Sequence, residues 1–191
     1  RAASGSDRGA HTRGAKRLPS RAGLGGGSSD APSTLLALNR LWRLKLTLAQ
    51  LSGIGLALGA DVPFFLQGHN AWVEGIGEKM SPLTLQRSQV LVVKPQAGLE
   101  TRAIFSDPDL IRDSKPAIIS GFAADPFGFG RNDLQPVAQR LCPGVREALD
   151  WLDSIGLKGR MTGSGSAVFA WAAPLFSVPK APDALEARMC C

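Results

Sequence analysis

Along STLLALNRLWRLKLT the apolar residues Leu35, Leu36, Leu38, Leu41, Trp42 and Leu46 recur at three- and four-residue spacings, as on one face of a helix. The spacing predicts a helix from about residue 32 to 45, with Asp30 as its N-cap and Pro32 tolerated in the first turn. LTLAQLSGIGLALG predicts a second helix ending at Gly59. The pattern then changes. HNAWVEGIGEKMSPL reads as two short strands around a turn at Gly75 to Gly77, and SQVLVVKP as a buried strand stopped by Pro95. DPDLIRD opens a helical or turn segment, and NDLQPVAQRLCPGVREALDWLDSIG reads as helix, a break near Pro143, and helix. GRMTGSGSAVFAWA presents a glycine loop followed by an apolar strand. Helices and strands interleaved in this order predict an α+β fold. RAASGSDRGAHTRGA has no period and reads as an irregular arm, unlike the start of a domain.

Composition narrows the class. A chain of 191 residues is long enough for one sizeable core or two small ones, and its 44% apolar share is that of a folded soluble protein. The longest apolar stretch, LSGIGLALGADVPFFLQG, is interrupted by Asp61, Pro63 and several glycines, so it predicts no membrane span, and no secretory signal follows the basic start. Cys142 and the adjacent Cys190 and Cys191 fit neither a disulfide framework nor a metal-ligand spacing, which points to a reducing cytoplasm. The net charge is +6, but it is unevenly spread. Arg1, Arg8, Arg13, Lys16, Arg17 and Arg21 stand against the single acid Asp7 in the first 21 residues, and the remaining chain is close to neutral. That arm has no interleaved aromatic residues, so it predicts no nucleic-acid partner.

Candidate chemistry begins at GLGGGSSDAP, residues 23 to 32. Glycines running straight into a helix aim backbone N–H groups at one point, where the positive end of the helix dipole also lies, and this suits a phosphate. The loop lacks the spacing of the Walker and dinucleotide-binding glycine motifs; taken alone, it would also suit a linker. In LGADVPFF, Asp61 sits in an apolar setting as either a helix N-cap or a functional acid. A phosphate cradle, an aspartate able to accept a hydroxyl proton and a second small-residue loop in MTGSGSAVFA are the parts of a phosphoryl-transfer site.

GLGGGSSDA, LGADVPFF with the following GHNAWVEGIGE, and TGSGSAVFA together resemble the motifs of the GHMP kinase superfamily, in the same order. LGADVPFF and IFSDPDL are most similar to the branch that uses ATP to phosphorylate a hydroxyl of a cytidine-diphosphate-linked substrate, in the non-mevalonate route to isoprenoid precursors. The resemblance runs from KRLPS at Lys16 to about Trp171, with weaker agreement at AIFSDPDL and NDLQPVA. It implies an α+β GHMP kinase fold in three parts. Residues 1–15 form a basic arm, 16–82 a partial N-terminal domain of the ribosomal-protein-domain-2-like type, and 83–191 a ferredoxin-like C-terminal domain. The resemblance further implies that Leu24, Gly25, Gly26, Gly27, Ser28 and Ser29 hold the ATP phosphates and that Asp61 is the base. Thr101 would lie near the substrate, Phe105 would stack on the cytosine, and Thr162, Gly163, Ser164 and Gly165 would form a second glycine loop that shapes the site. The implied cofactor is ATP with Mg2+, without a resident metal site; the implied partner is the cytidine-diphosphate substrate, with neither nucleic acid nor membrane.

From the residues alone, Phe105 is more simply a core residue, Thr162 to Ser166 a tight turn, His69 a turn residue and Glu78 a hairpin residue. The same motifs suit another GHMP kinase of the homoserine or mevalonate type, or a non-catalytic relic whose basic arm binds an acidic partner. Three departures stand beside the resemblance. No PAKLNL-like strand, DGYH-like segment or adenine-binding stretch precedes Lys16, Arg21 replaces a usual glycine, and SVPKAPDALEARMCC stops short of the usual closing segment. They lead to the expectation of a fragment or degraded copy with weak nucleotide binding and little activity of its own.

Overall fold

The computed structural model describes residues 9–16 and 22–190, which fall into two compact units. Residues 9–16 and Gly25–Leu85 make the first, and residues 22–24 and 86–190 the second. In the first unit, Gly25 at φ 66° and ψ 12° takes the chain through the left-handed region, open to glycine without strain. Helix α1 (Gly26–Leu41) begins directly after it. It starts at Gly26 rather than near residue 32, so Gly25 and not Asp30 is the cap, and Pro32 is a buried residue inside the helix. The helix also stops at Leu41 rather than near residue 45. Arg43 (φ 55°) and Lys45 (φ 56°) lie in the left-handed region, and the Asn39 amide closes the turn. Its Nδ2 donates to the Leu46 carbonyl and its Oδ1 accepts from the Leu46 N–H, both at 3.0 Å.

Helix α2 (Leu48–Leu58) opens on a capping box in which Thr47 and Gln50 satisfy each other's backbone N–H groups. Helix α3 (Val62–Gln67) packs back onto α2 at Gly55, where a Cβ would come within 2.9 Å of Val62 Cγ1. Leu51, Val62 and Leu66 form the buried core, with Ala31, Leu35 and Leu46 against it. Strands β1 (Ala71–Glu74) and β2 (Lys79–Pro82) make the expected hairpin, with Ala71 opposite Pro82 and Glu74 opposite Lys79. Gly75 and Gly77 supply the positive φ of its turn, and Glu78 accepts the Ile76 N–H at 2.7 Å.

The second unit is built on an antiparallel sheet of strands β3 (Gln89–Pro95), β4 (Gly159–Met161), β5 (Val168–Ala172) and β6 (Leu185–Cys190), in the order β4-β5-β3-β6. Strand β5 alternates buried Val168, Ala170 and Ala172 with half-buried Phe169 and Trp171, the period of a sheet with one face packed. Helices α4 (Thr101–Phe105), α5 (Ile119–Ala124), α6 (Gln135–Leu141) and α7 (Pro143–Ser154) complete the unit. Val145, Ala148 and Leu152 form one stripe of α7 and join Leu91, Val93, Met161, Val168 and Ala170 in the core. The break near Pro143 appears as expected, whereas α4, α5, β4 and β6 are elements the sequence pattern did not announce. No helix among the described residues is long and apolar enough to cross a membrane.

Candidate functional site

The first unit contributes the start of α1 and Asp61. A helix leaves its first N–H groups without intrahelical acceptors, so Gly26, Gly27 and Ser28 present donors on the side facing away from the helix body. Ser29 is committed to the helix itself, its N–H to the Gly25 carbonyl (2.8 Å) and its hydroxyl to the Gly26 carbonyl (3.0 Å). Phe65 of α3 supports the bend from beneath, since a Cβ on Gly25 would lie 2.6 Å from its Cζ. At Gly27 a Cβ would meet nothing within 4 Å outside its own helix among the described residues. Asp61 holds the N-cap position of α3, yet its side chain makes no capping hydrogen bond. Asp30 pairs with Lys16 at 2.9 Å on the surface. Arg21 lies outside the described residues.

In the second unit the other glycine loop joins two of the predicted residues. Gly163 (φ 51°) and Gly165 (φ 76°) turn the chain, and the Thr101 and Ser164 hydroxyls lie 2.8 Å apart. Asn132 holds the loop with both donors of its amide, to the carbonyls of Met161 (2.9 Å) and Gly163 (2.7 Å), while Gln135 Oε1 accepts the Met161 N–H at 2.8 Å. Thr162 Oγ1 donates to the Gly23 carbonyl (2.9 Å), and the Ala167 N–H to the Ala22 carbonyl (3.2 Å). A Cβ on Gly23 would stand 2.1 Å from the Thr162 carbonyl oxygen, so only glycine fits there. Leu24 belongs to this unit, and the chain passes into the first at Gly25.

Phe105 ends α4 and is 55% exposed, which overturns its reading as a core residue. Beyond it, Asp107 accepts from both sides, from the Asp109 N–H (3.0 Å) and from Arg140 Nη2 at 2.7 Å to each oxygen. Burial works to raise the Asp107 carboxyl, but these hydrogen bonds and the two nearby guanidinium groups outweigh it and hold the carboxyl below its ordinary value. Sequence reasoning missed Asn132, Gln135, Asp107 and Arg140; single polar residues in turns and on helix faces carry no pattern until their partners are known. A cavity of about 820 Å³ in the second unit, walled by Arg87, Phe127 and Trp171, contains none of the expected site residues and no acid or base able to take a hydroxyl proton.

The family described as "GHMP kinases N terminal domain" matches residues 1–69, and that described as "GHMP kinases C terminal" matches residues 119–190. Both run past the ends of the resemblance at Lys16 and Trp171, so the first fifteen residues and the segment containing β6 are also family sequence. The 4-diphosphocytidyl-2-C-methyl-D-erythritol kinase of Albidiferax ferrireducens is 66% identical over 190 residues, covering 100% of this chain and 66% of that protein. The like-named protein of an Acidovorax species is 58% identical over 192 residues, covering 98% and 68%. A crystal structure of 4-(cytidine 5'-diphospho)-2C-methyl-D-erythritol kinase superposes with a TM-score of 0.67 at 38% identity, over 82% of this chain and 59% of that one. The chain thus spans about two thirds of the length of the relatives it matches.

Proposed function

This chain belongs to the GHMP kinase superfamily and, within it, to the 4-diphosphocytidyl-2-C-methyl-D-erythritol kinases, and on that premise we propose that it serves ATP-dependent phosphorylation of a hydroxyl of 4-diphosphocytidyl-2-C-methyl-D-erythritol, in the non-mevalonate isoprenoid route. The observation that carries the reading is the pairing, within one unit, of open backbone donors at the start of α1 with an Asp61 carboxylate that caps nothing. ATP, when bound, supplies the transferred phosphoryl group. The N–H groups of Gly26, Gly27 and Ser28 hold phosphate oxygens, and Ser29 closes the turn that aims them. Asp61 takes the proton of the acceptor hydroxyl as its oxygen bonds to phosphorus and the bond to the leaving diphosphate breaks. Phe105 offers its exposed face to the cytosine, and Thr101, linked to Ser164, lies on the substrate side. No group of three or more His, Cys, Asp or Glu residues that could hold a metal ion occurs among the described residues; Mg2+, if bound together with ATP, would neutralise charge on the phosphates.

Assays of ADP release with the cytidine-linked substrate, homoserine and mevalonate test the assignment. Turnover with the first substrate alone is expected, even if at a low rate. Turnover with either of the others at a comparable rate overturns it.

A further inference from the structure

Because Phe105 is 55% exposed, its ring is placed by the backbone beneath it rather than by core packing. Arg112 grips that backbone. Arg112 Nη2 donates to the carbonyls of Phe105 (2.7 Å) and Asp107 (3.2 Å), and Nη1 donates to the Leu110 carbonyl (3.0 Å). The last carbonyls of a helix lack N–H partners, and a cation at that end is favoured by the helix dipole; Phe105 is the last residue of α4. Three carbonyls converging on one planar fork also call for arginine, because lysine offers a point charge without the fork. The clasped segment is fastened on both flanks, with Ile104 fully buried, Leu110 8% exposed and the Asp107 carboxylate held by Arg140 of α6. Arg112 itself is exposed, so its loss opens no core.

We propose that Arg112 is a positioning residue for the cytidine end of the substrate: it fixes the Phe105 backbone, and through it the ring, where the base stacks. The Asp107–Arg140 pair anchors the far side of the same loop. The role rests on the assignment of Phe105 as the stacking residue.

Calorimetry on the full chain compares cytidine diphosphate and a non-hydrolysable ATP analogue across the parent, Arg112→Ala, Arg112→Lys, Phe105→Ala and the Arg112→Ala/Phe105→Ala double variant. Arg112→Ala weakens cytidine diphosphate about tenfold, the scale of one charge-assisted hydrogen bond, and Arg112→Lys weakens it less. Affinity for the ATP analogue stays within about twofold, and the double variant is no worse than Phe105→Ala alone. Amide exchange adds a readout that needs no ligand: in Arg112→Ala it quickens at residues 106–110 and not across the rest of the second unit. Should Arg112→Ala fail to fold, Arg112→Lys carries the same comparison. Unchanged cytidine diphosphate affinity in Arg112→Ala, beside a loss in Phe105→Ala, overturns the positioning role alone, as does an equal loss for both ligands. Binding that is absent from the parent, or unchanged in Phe105→Ala, overturns the stacking assignment and the positioning role with it.

Discussion

The start of α1 in the first unit and the glycine loop of the second are built in opposite ways. At α1 the donors are the N–H groups of Gly26, Gly27 and Ser28, supplied by helix geometry, over a small core of Leu51, Val62 and Leu66. The loop from Thr162 to Gly165 owes its shape to side chains from distant segments, above all Asn132 and Gln135, on a core that runs from Leu91 to Leu185. A backbone-built site is therefore vulnerable to added atoms, which fill its open space. A side-chain-built site is vulnerable to removed ones, which leave carbonyls unpaired.

The largest effect expected lies with Asp61, the proposed base of the first unit. Asp61→Asn preserves size and removes the base, so turnover falls by about 100- to 10,000-fold while ATP-analogue affinity holds within a few-fold. Steady-state kinetics beside calorimetry measure the split, and near-parental turnover takes Asp61 out of the chemistry. Next comes Gly27→Val, whose Cβ meets nothing within 4 Å outside its own helix among the described residues. ATP-analogue affinity drops by at least about tenfold, while stability to urea is kept or raised, because glycine is among the poorest helix formers. A variant that binds as tightly as the parent breaks the picture of a backbone cradle.

Asn132→Ala tests the opposite construction by removing donors to Met161 and Gly163 and the acceptor for the Leu134 N–H. It costs about 2–3 kcal/mol in urea unfolding, whereas Ser29→Ala, at the α1 start, costs no more than about 1 kcal/mol. Equal losses would erase the distinction between the two sites. The smallest effect is one of pH. The folded-state carboxyl of Asp107 lies below its ordinary value, so its contribution to stability is present above the unfolded pKa of about 3.9 and is lost as pH falls through the folded value. Asp107→Asn is accordingly less stable than the parent near neutrality, and the gap narrows on acidification. Urea midpoints across the acid range that keep a constant gap contradict the direction.

Much of the scaffold was legible before any coordinates. Helix α2, the hairpin around Gly75, strand β3 and the pair α6 and α7 follow from local period and turn residues, because dihedral preference and one-sided burial repeat along the chain itself. The glycine loops and Asp61 stood out by wording, though not by geometry. GLGGGSSD carries no apolar rhythm, so the start of α1 at Gly26 is set by the left-handed turn at Gly25 and its support from Phe65. LEARMC alternates apolar and polar positions but is a strand because it pairs with β3, with Leu91 opposite Met189 and Val93 opposite Ala187. Whether Phe105 faced the core or the solvent, and that Asn132 would grip a loop some thirty residues away, depended on which distant segments met. The sequence by itself determined the type of most elements and the motifs of the site; tertiary structure alone decided which carbonyls found which donors, since such partners are matched by proximity in space and leave no period along the chain.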